Sequence, residues 1–119
     1  MLNDLSIRDV NVVESFAWGN NCSVWTLLDD KELTVMQEKM PPNSGDELHY
    51  HNISTQFVYV LSGTLQIEID NKIVTLNAFQ GLKIPKKSQH KVMNNSNDEV
   101  TFLLMSTPGH VDDRVLVNI

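Results

Sequence analysis

The 119-residue sequence lacks the features of disulfide-bonded, membrane-spanning and secreted proteins. It contains a single cysteine, Cys22, so no disulfide can form within the chain, and a reducing compartment is the expected environment. No stretch approaches the roughly 18 consecutive apolar residues of a membrane span, and the N terminus has no basic segment followed by an apolar run. These absences predict a soluble, cytoplasmic protein with no membrane partner.

Positive charge is also scarce. Nine Lys and Arg residues stand against 15 Asp and Glu residues, which gives a formal net charge of −6. Nucleic-acid binding normally requires the opposite sign, so no nucleic-acid partner is expected. The basic residues that do cluster are interpreted either as solvated strand ends or as a weakly positive rim that attracts a small anion: Lys83, Lys86, Lys87 and Lys91.

Helical periodicity is absent, whereas strand-like runs are frequent. From Cys22 onward, runs of roughly five to eight β-forming residues alternate with turn residues at near-regular intervals, which is typical of a sandwich or barrel. Residues 15–21 read as turn and loop. We therefore expect one domain of eight or more antiparallel strands, with an N-terminal arm over residues 1–20 and a β-barrel over residues 21–119.

Three of the four histidines fall near one another in this pattern of strands. His49 and His51 are two residues apart, and in a strand that spacing places both imidazoles on the same face. Such a pair can bind one metal ion, because imidazole nitrogen is a common ligand for transition metals. Gln56 and His90 are the candidates for further donors. The alternative interpretation is a pair of ordinary histidines without a metal.

These residues belong to two longer patterns, Gly45-x3-His49-x-His51-x4-Gln56-x6-Gly63 and Pro85-x4-His90-x3-Asn94. Together they resemble the two signature motifs of the cupin superfamily. The resemblance implies an all-β, double-stranded β-helix (jelly-roll) cupin barrel and a homodimer. It also implies a divalent transition metal, whether Fe, Ni, Zn, Mn or Cu, held by His49, His51, Gln56 and His90. The segment 115–119 is expected to pair within the barrel or across the dimer interface.

The sequence departs from the cupin motifs at several positions. Phe79 and Lys87 replace two glycines, the interval between Gly45 and His49 is shorter, and Gln56 stands where the family usually has Glu. With three neutral imidazoles around a divalent ion, an amide leaves a site charge of +2, whereas a carboxylate leaves +1. The extra charge should strengthen the binding of an anionic, chelating substrate and weaken retention of the metal.

The strand period also predicts which other side chains enter the pocket. Val58 and Val60 should face inward with Gln56, and Val92 and Asn94 should share the face of His90. This arrangement predicts a pocket that is polar at its metal end and aliphatic beyond.

A general base is less obvious from the sequence. The candidate is Glu38, whose strand neighbours Met36 and Met40 would raise its pKa by desolvation, and its alternative is a solvated charge on the exterior. His110 is interpreted as an exposed histidine outside the motifs.

Three functions remain open at this point. The first is a metal-dependent enzyme of dioxygenase, isomerase, cyclase or lyase type that acts on a small oxygen-rich anion. The second is a non-catalytic module that binds a small molecule. A sugar-phosphate isomerase is disfavoured because phosphate recognition needs an inward cation, and Arg8 and Arg114 are both near the ends of the chain.

Overall fold

The computed structural model describes residues 2–19 and 21–117, which form twelve strands in two antiparallel sheets. The predicted all-β, double-sheet architecture is confirmed. In chain order the strands are β1 (Ser15–Trp18), β2 (Cys22–Asp29), β3 (Thr34–Met40), β4 (Ser44–Gly45), β5 (His49–His51), β6 (Thr55–Ser62), β7 (Leu65–Ile69), β8 (Lys72–Leu76), β9 (Gly81–Ile84), β10 (His90–Asn94), β11 (Val100–Thr107) and β12 (Arg114–Leu116). In this part of the chain no helix has the length and apolarity needed to cross a bilayer.

The strand order interleaves distant parts of the chain. The first sheet runs β1-β2-β3-β11-β6-β9, and the second runs β12-β5-β10-β7-β8, with β4 also paired to β10. Because β11 lies between β3 and β6, and β10 lies between β5 and β7, neighbours in each sheet are often remote in sequence. This crossing topology brings the two histidine-bearing strands, β5 and β10, side by side.

The core lies between the two sheets and follows the period of two. On β6, Val58 and Val60 are fully buried, whereas Phe57, which precedes Val58, is 41% exposed. Ile67 from β7 and Phe102 from β11 complete the core from either sheet. The apolar side chains on one face of each strand are buried between the sheets, and this burial is the main contribution to the stability of the fold.

Both ends of the chain contribute strands. The predicted turn and loop over residues 15–21 is wrong for Ser15–Trp18, which form β1 and pair with β2. Gly19 and Asn21, with φ of 52° and 63°, lie in the connection between these strands, a backbone region that Gly and Asn adopt at low cost. At the other end β12 pairs with β5, which confirms pairing for Val115 and Leu116. Asn118 and Ile119 of the predicted segment lie outside the described residues.

Two turns keep a backbone conformation that normally favours glycine. Phe79 and Lys87, which stand at the glycine positions of the second motif, have φ of 67° and 69°. A side chain in this left-handed region costs about 1–2 kcal/mol because its Cβ approaches the following carbonyl oxygen. Both side chains are therefore accommodated at positive φ, at a cost in strain.

Candidate metal centre

Three imidazoles from two adjacent strands converge at one end of the barrel interior. His49 and His51 lie on β5, and His90 of β10 is directly opposite His49 in the antiparallel register. Their ligand nitrogen atoms all lie within 4.8 Å of one another, and the ring centroids of His49 and His90 are 4.3 Å apart. The structure thus brings together the three histidines that the sequence singled out.

Backbone carbonyls fix the orientation of two of these rings. The Nδ1 atom of His49 lies 2.7 Å from the carbonyl oxygen of Glu47, and Nδ1 of His90 lies 2.9 Å from that of Ser88. A carbonyl oxygen only accepts, so each Nδ1 carries the proton and donates it. Each Nε2 consequently keeps a free lone pair, as a metal ligand must.

The third ring is held by a carboxylate that the sequence analysis did not identify. Nδ1 of His51 lies 2.9 Å from Oδ1 of Asp113, a buried residue just before β12. The other carboxylate oxygen accepts hydrogen bonds from the backbone N–H groups of Ile53 and Ser54, both at 2.8 Å. Burial alone would raise the pKa of Asp113, but the hydrogen bonds from His51, Ser54 and Ile53 lower it to about 2. Asp113 is therefore an ionised acceptor that fixes the tautomer of His51.

Burial keeps the imidazoles of His49 and His90 neutral. It lowers the pKa of His49 to about 4 and lowers the pKa of His90 as well, with the neighbouring imidazoles adding to both shifts. The backbone carbonyls of Glu47 and Ser88 oppose these shifts without cancelling them. Since only a neutral imidazole can bind a metal, protons compete weakly for these nitrogens near neutral pH.

Gln56 reaches the same cavity from the first sheet. It is 6% exposed, lies on β6, and donates a hydrogen bond from Nε2 to the Ser106 hydroxyl at 3.0 Å. With its nitrogen bound there, the amide oxygen is the atom left to face a cation. The second sheet therefore contributes three imidazoles and the first sheet contributes one amide.

This donor set fits a divalent transition ion. Neutral imidazoles with an oxygen donor suit Zn, Fe, Ni, Cu and Mn, and all four side chains line one cavity. An ion about 2.1 Å from each nitrogen can span at most about 4.2 Å between opposite ligands. The three ligand nitrogen atoms lie at most 4.8 Å apart, which is only slightly more than that span. A small inward movement of the rings would therefore bring all three within bonding distance of one ion.

The cavity behind these ligands has a volume of about 580 Å³ and lies between the two sheets. Beyond the imidazoles its walls combine apolar side chains, among them Val58, Val92 and Leu104, with several charged ones. Val58 and Val92 line the cavity as predicted, whereas the expectation of a purely aliphatic remainder is wrong, because charged side chains also line it. A cavity of this size can hold a small organic molecule as well as an ion.

Glu38 lies in the cavity wall, so its alternative placement on the exterior is wrong. It is 8% exposed, on β3 of the first sheet. Burial raises the pKa of Glu38 to about 8, the Asp46 charge adds to the rise, and the Trp18 indole opposes it. In the described part of the chain, Trp18 Nε1 is the buried side-chain nitrogen or oxygen atom that has no hydrogen bond of normal geometry. It nevertheless lies close enough to Glu38 to lower the pKa of that carboxyl group.

Two further charged residues of the cavity were missed. Asp46 accepts a hydrogen bond from the backbone N–H of Val92 at 2.8 Å, and burial raises its pKa to about 6. Arg114 also lines the cavity, so the interpretation that no arginine reaches the pocket is wrong. The position of Arg114 could not be predicted from the sequence, because it depends on the pairing of β12 with β5.

The remaining candidates lie elsewhere. His110 is exposed, as expected, and its Nε2 lies 3.0 Å from Oδ1 of Asp29, outside the imidazole cluster. The residues of the basic cluster do not line the cavity: Lys83, Lys86, Lys87 and Lys91.

Comparison with known proteins identifies the family. Residues 36–106 match the profile of a type 2 cupin domain. The chain is 35% identical over 80 residues to the polyketide synthase CurC of Streptomyces cyaneus, an alignment that covers 61% of this chain and 52% of that protein. The chain thus spans about half the length of the curated relatives it matches.

Solved structures agree on the fold. A cupin described as RmlC-like, from Shewanella frigidimarina, superposes with a TM-score of 0.81 at 18% identity, covering 93% of this chain and 96% of that one. The polyketide cyclase RemF from Streptomyces resistomycificus superposes with a TM-score of 0.80 at 14% identity, covering 100% of this chain and 87% of that one. Together with the matched profile and the jelly-roll arrangement of its two sheets, these comparisons show that the chain belongs to the cupin superfamily.

Proposed function

We propose that this cupin is a metal-dependent enzyme that acts on a small, oxygen-rich, anionic substrate. In this proposal His49, His51, Gln56 and His90 bind one divalent transition metal. The observation that carries it is the fixed orientation of the imidazoles: every Nδ1 has an acceptor between 2.7 and 2.9 Å away, which leaves three Nε2 lone pairs in one cavity. Such orientation lowers the entropy lost on binding an ion.

The ion, when bound, would supply Lewis acidity to a chelating oxygen of the substrate. The protein's own contribution is to keep that site positively charged, because the amide of Gln56 adds no negative charge where a carboxylate would. The apolar walls formed by residues such as Val58 and Leu104 exclude water and strengthen electrostatic interactions within the cavity.

Glu38 is proposed as the general acid and base. Its pKa of about 8 lies near a working pH of 7 to 8, where proton transfer is most efficient. In its charged form the carboxylate would accept a proton from a carbon next to a substrate carbonyl. It would then return that proton at a second position, so that no atom is gained or lost. This role favours isomerisation or cyclisation, and lyase chemistry can begin with the same proton abstraction.

The names of the relatives are consistent with a substrate rich in carbonyl groups. One sequence relative is called a polyketide synthase, and one structural neighbour is called a polyketide cyclase. Compounds with several carbonyl groups both chelate metals and carry acidic C–H bonds. A polycarbonyl anion is therefore the proposed substrate class.

Metal content tests the first half of the proposal. Protein purified without a histidine tag should contain about one transition-metal ion per chain by mass spectrometry, and His51→Ala should lose it. His110→Ala is the matched control, because His110 lies outside the cluster, and it should keep the metal. Equal, substoichiometric metal in all three proteins would contradict the proposal.

Turnover tests the second half. Metal-loaded protein is incubated in D2O with keto acids, keto-sugars and diketones, and NMR follows deuterium exchange and rearrangement at carbons next to the carbonyl groups. Catalysed exchange that depends on Glu38 supports an enzyme. If the compounds bind but emerge unaltered with every metal loaded, the non-catalytic binding module is the better account.

A homodimer is proposed on separate grounds. The N-terminal arm and β1 expose large apolar side chains, with Leu5 93%, Ile7 82% and Phe16 59% accessible to solvent. Such a surface is typical of a protein interface. Light scattering should give twice the chain mass for the wild type and a monomer for Phe16→Asp, and a monomeric wild type would rule out the dimer.

A further inference from the structure

Arg114 emerges on the metal-binding face of the second sheet. In the antiparallel register of β12 and β5 it is directly opposite His51, and Leu116 is opposite His49. Directly opposed residues of an antiparallel pair project from the same face with their Cβ atoms about 5 Å apart. The Arg114 side chain therefore leaves the sheet beside the imidazole cluster, and it lines the same cavity.

The backbone that carries Arg114 is firmly attached. The neighbouring carbonyl of Asp113 accepts a hydrogen bond from the N–H of Asn52 at 3.2 Å, and the Asp113 carboxylate accepts two further backbone N–H groups. Beyond β12, the N–H of Val117 donates to the carbonyl of Leu48 at 3.0 Å. The position of Arg114 is thus set by the same contacts that orient His51.

The guanidinium group is left without an ionic partner. No carboxylate of the described residues lies within 4.0 Å of it, although it acts on the centre at longer range. Its charge contributes to lowering the pKa values of Asp46, His49 and His90. Because β12 is the edge strand of its sheet and Arg114 is exposed, the group stands at the mouth of the cavity.

A planar guanidinium with five donors matches a carboxylate better than any other side chain does, because two parallel hydrogen bonds can form. The rest of the charged lining is acidic, namely Glu38, Asp46 and Glu47. A substrate anion entering this cavity consequently has one favourable side chain to approach, and that side chain lies next to His51.

From this placement we propose that Arg114 is a specificity-determining residue that binds a carboxylate of the substrate while the same molecule's carbonyl oxygens occupy the metal centre. The inference rests on the proposed function and narrows its substrate class to carbonyl compounds that bear a carboxylate next to the chelating group. An arginine at the mouth would also attract such anions from solution, since opposite charge accelerates encounter.

Two small diketones test this directly. Acetylacetone and acetylpyruvate both chelate through a pair of carbonyl oxygens, but acetylpyruvate also bears a carboxylate. Binding of each to the zinc-loaded full chain is measured by calorimetry. The wild type should bind acetylpyruvate about tenfold more tightly or better, as expected for a charge-assisted pair. Arg114→Gln should remove that advantage and leave acetylacetone affinity within about twofold, and Arg114→Lys should keep part of it.

Lys91→Gln is the matched control, because it removes one positive charge from β10 outside the cavity lining. It should leave the preference for acetylpyruvate intact. If zinc binds one per chain but Arg114→Gln keeps the full preference, or if acetylpyruvate binds no better than acetylacetone to the wild type, the role of Arg114 is wrong while the metal site stands. Absence of zinc binding by the wild type would overturn the proposed function and this inference with it.

Discussion

The two walls of the cavity treat their polar groups differently. On the second sheet every imidazole has an acceptor for its Nδ1 atom, and Asp113 is itself satisfied by two backbone N–H groups. On the first sheet Glu38 is buried with a pKa near 8, and Trp18 Nε1 has no hydrogen bond of normal geometry. Gln56 is the exception on the first sheet, since its amide nitrogen donates a hydrogen bond to the Ser106 hydroxyl.

This contrast indicates that the two walls have different functions. A fully satisfied wall costs little to maintain and holds its ligands in one geometry, which suits a resident ion. A wall that buries a carboxyl group with a raised pKa beside an indole N–H without a normal hydrogen bond is costly, and such groups are common where a molecule binds or a proton moves. We therefore propose that the imidazoles of the second sheet hold the metal and that Glu38 of the first sheet faces the substrate. Substitutions on either wall test this contrast, beginning with the one expected to have the strongest consequence.

Removing the acid of the substrate-facing wall should have the largest effect. Glu38→Gln should lower turnover by about 10²- to 10⁴-fold, the range for loss of a general acid or base. In the wild type the rate should rise with pH through about 8 as the charged base forms, and the variant should lack that rise. Steady-state kinetics from pH 6 to 10 measures both, with Glu32→Gln as an exposed control.

The same substitution has a stability consequence of defined sign. The pKa of Glu38 is raised in the fold from a usual value of 4.5 to about 8, so the folded state holds a proton that the unfolded state loses. The contribution of Glu38 to the free energy of unfolding is therefore fully present below pH 4.5 and is lost as the pH rises to about 8. Glu38→Gln should gain at least about 1 kcal/mol over the wild type at pH 8.5 relative to pH 5. Identical pH dependence of urea unfolding would contradict this assignment.

Weakening the metal-binding wall should have the next largest effect. Asp113→Asn removes the charged acceptor of His51 and should reduce metal affinity by about 10- to 100-fold, as is usual for such supporting hydrogen bonds. Competition with a fluorescent chelator measures the affinity, and Asp112→Asn is the adjacent exposed control. Urea unfolding of both variants separates a loss of metal affinity from a loss of fold. Unchanged affinity would mean that the orientation of His51 does not depend on Asp113.

Changing the charge of the centre should have a smaller effect in the opposite direction. Gln56→Glu should tighten metal binding by about tenfold, equal to about 1.4 kcal/mol, because a carboxylate is a better donor than an amide. The Ser106 hydroxyl can rotate to donate to the new carboxylate, so the position tolerates the change. The same variant should bind an anionic chelator more weakly. A simultaneous gain in affinity for metal and for the anion would contradict the charge argument.

The smallest effect concerns the turn beside the centre. Lys87→Gly should stabilise the protein by about 0.5–1 kcal/mol, because glycine relieves the left-handed strain but loses more entropy on folding. Lys86→Gly is the control, because Lys86 does not have a positive φ. This variant should be less stable than the wild type, since glycine loses more entropy on folding. Thermal unfolding compares the two. Destabilisation of both variants would show that the positive φ of Lys87 carries no strain.

Local pattern was enough to predict the fold and the imidazole cluster. The period of two placed Val58 and Val60 inside, and the motif spacing related His90 to the pair on β5. These features depend on residues that are close in sequence or on a resemblance that covers both motifs. They could be read without any knowledge of strand pairing.

The charged surroundings could not be predicted in the same way. Asp113 and Arg114 reach the centre only because β12 pairs with β5, and a three-residue strand near the end of the chain has no local signal for its register. Trp18 reaches the cavity from a segment that the sequence analysis interprets as turn and loop, because β1 forms only by pairing with β2. Long-range register, rather than composition, decides which charges meet.

An anomalous diffraction experiment at the absorption edges of the candidate metals is the decisive test of the metal centre. One peak is expected within about 2.0–2.3 Å of the Nε2 atoms of His49, His51 and His90, with the Gln56 amide oxygen directed at it. A metal-soaked crystal in which those Nε2 atoms stay apart and no peak lies between them would contradict it.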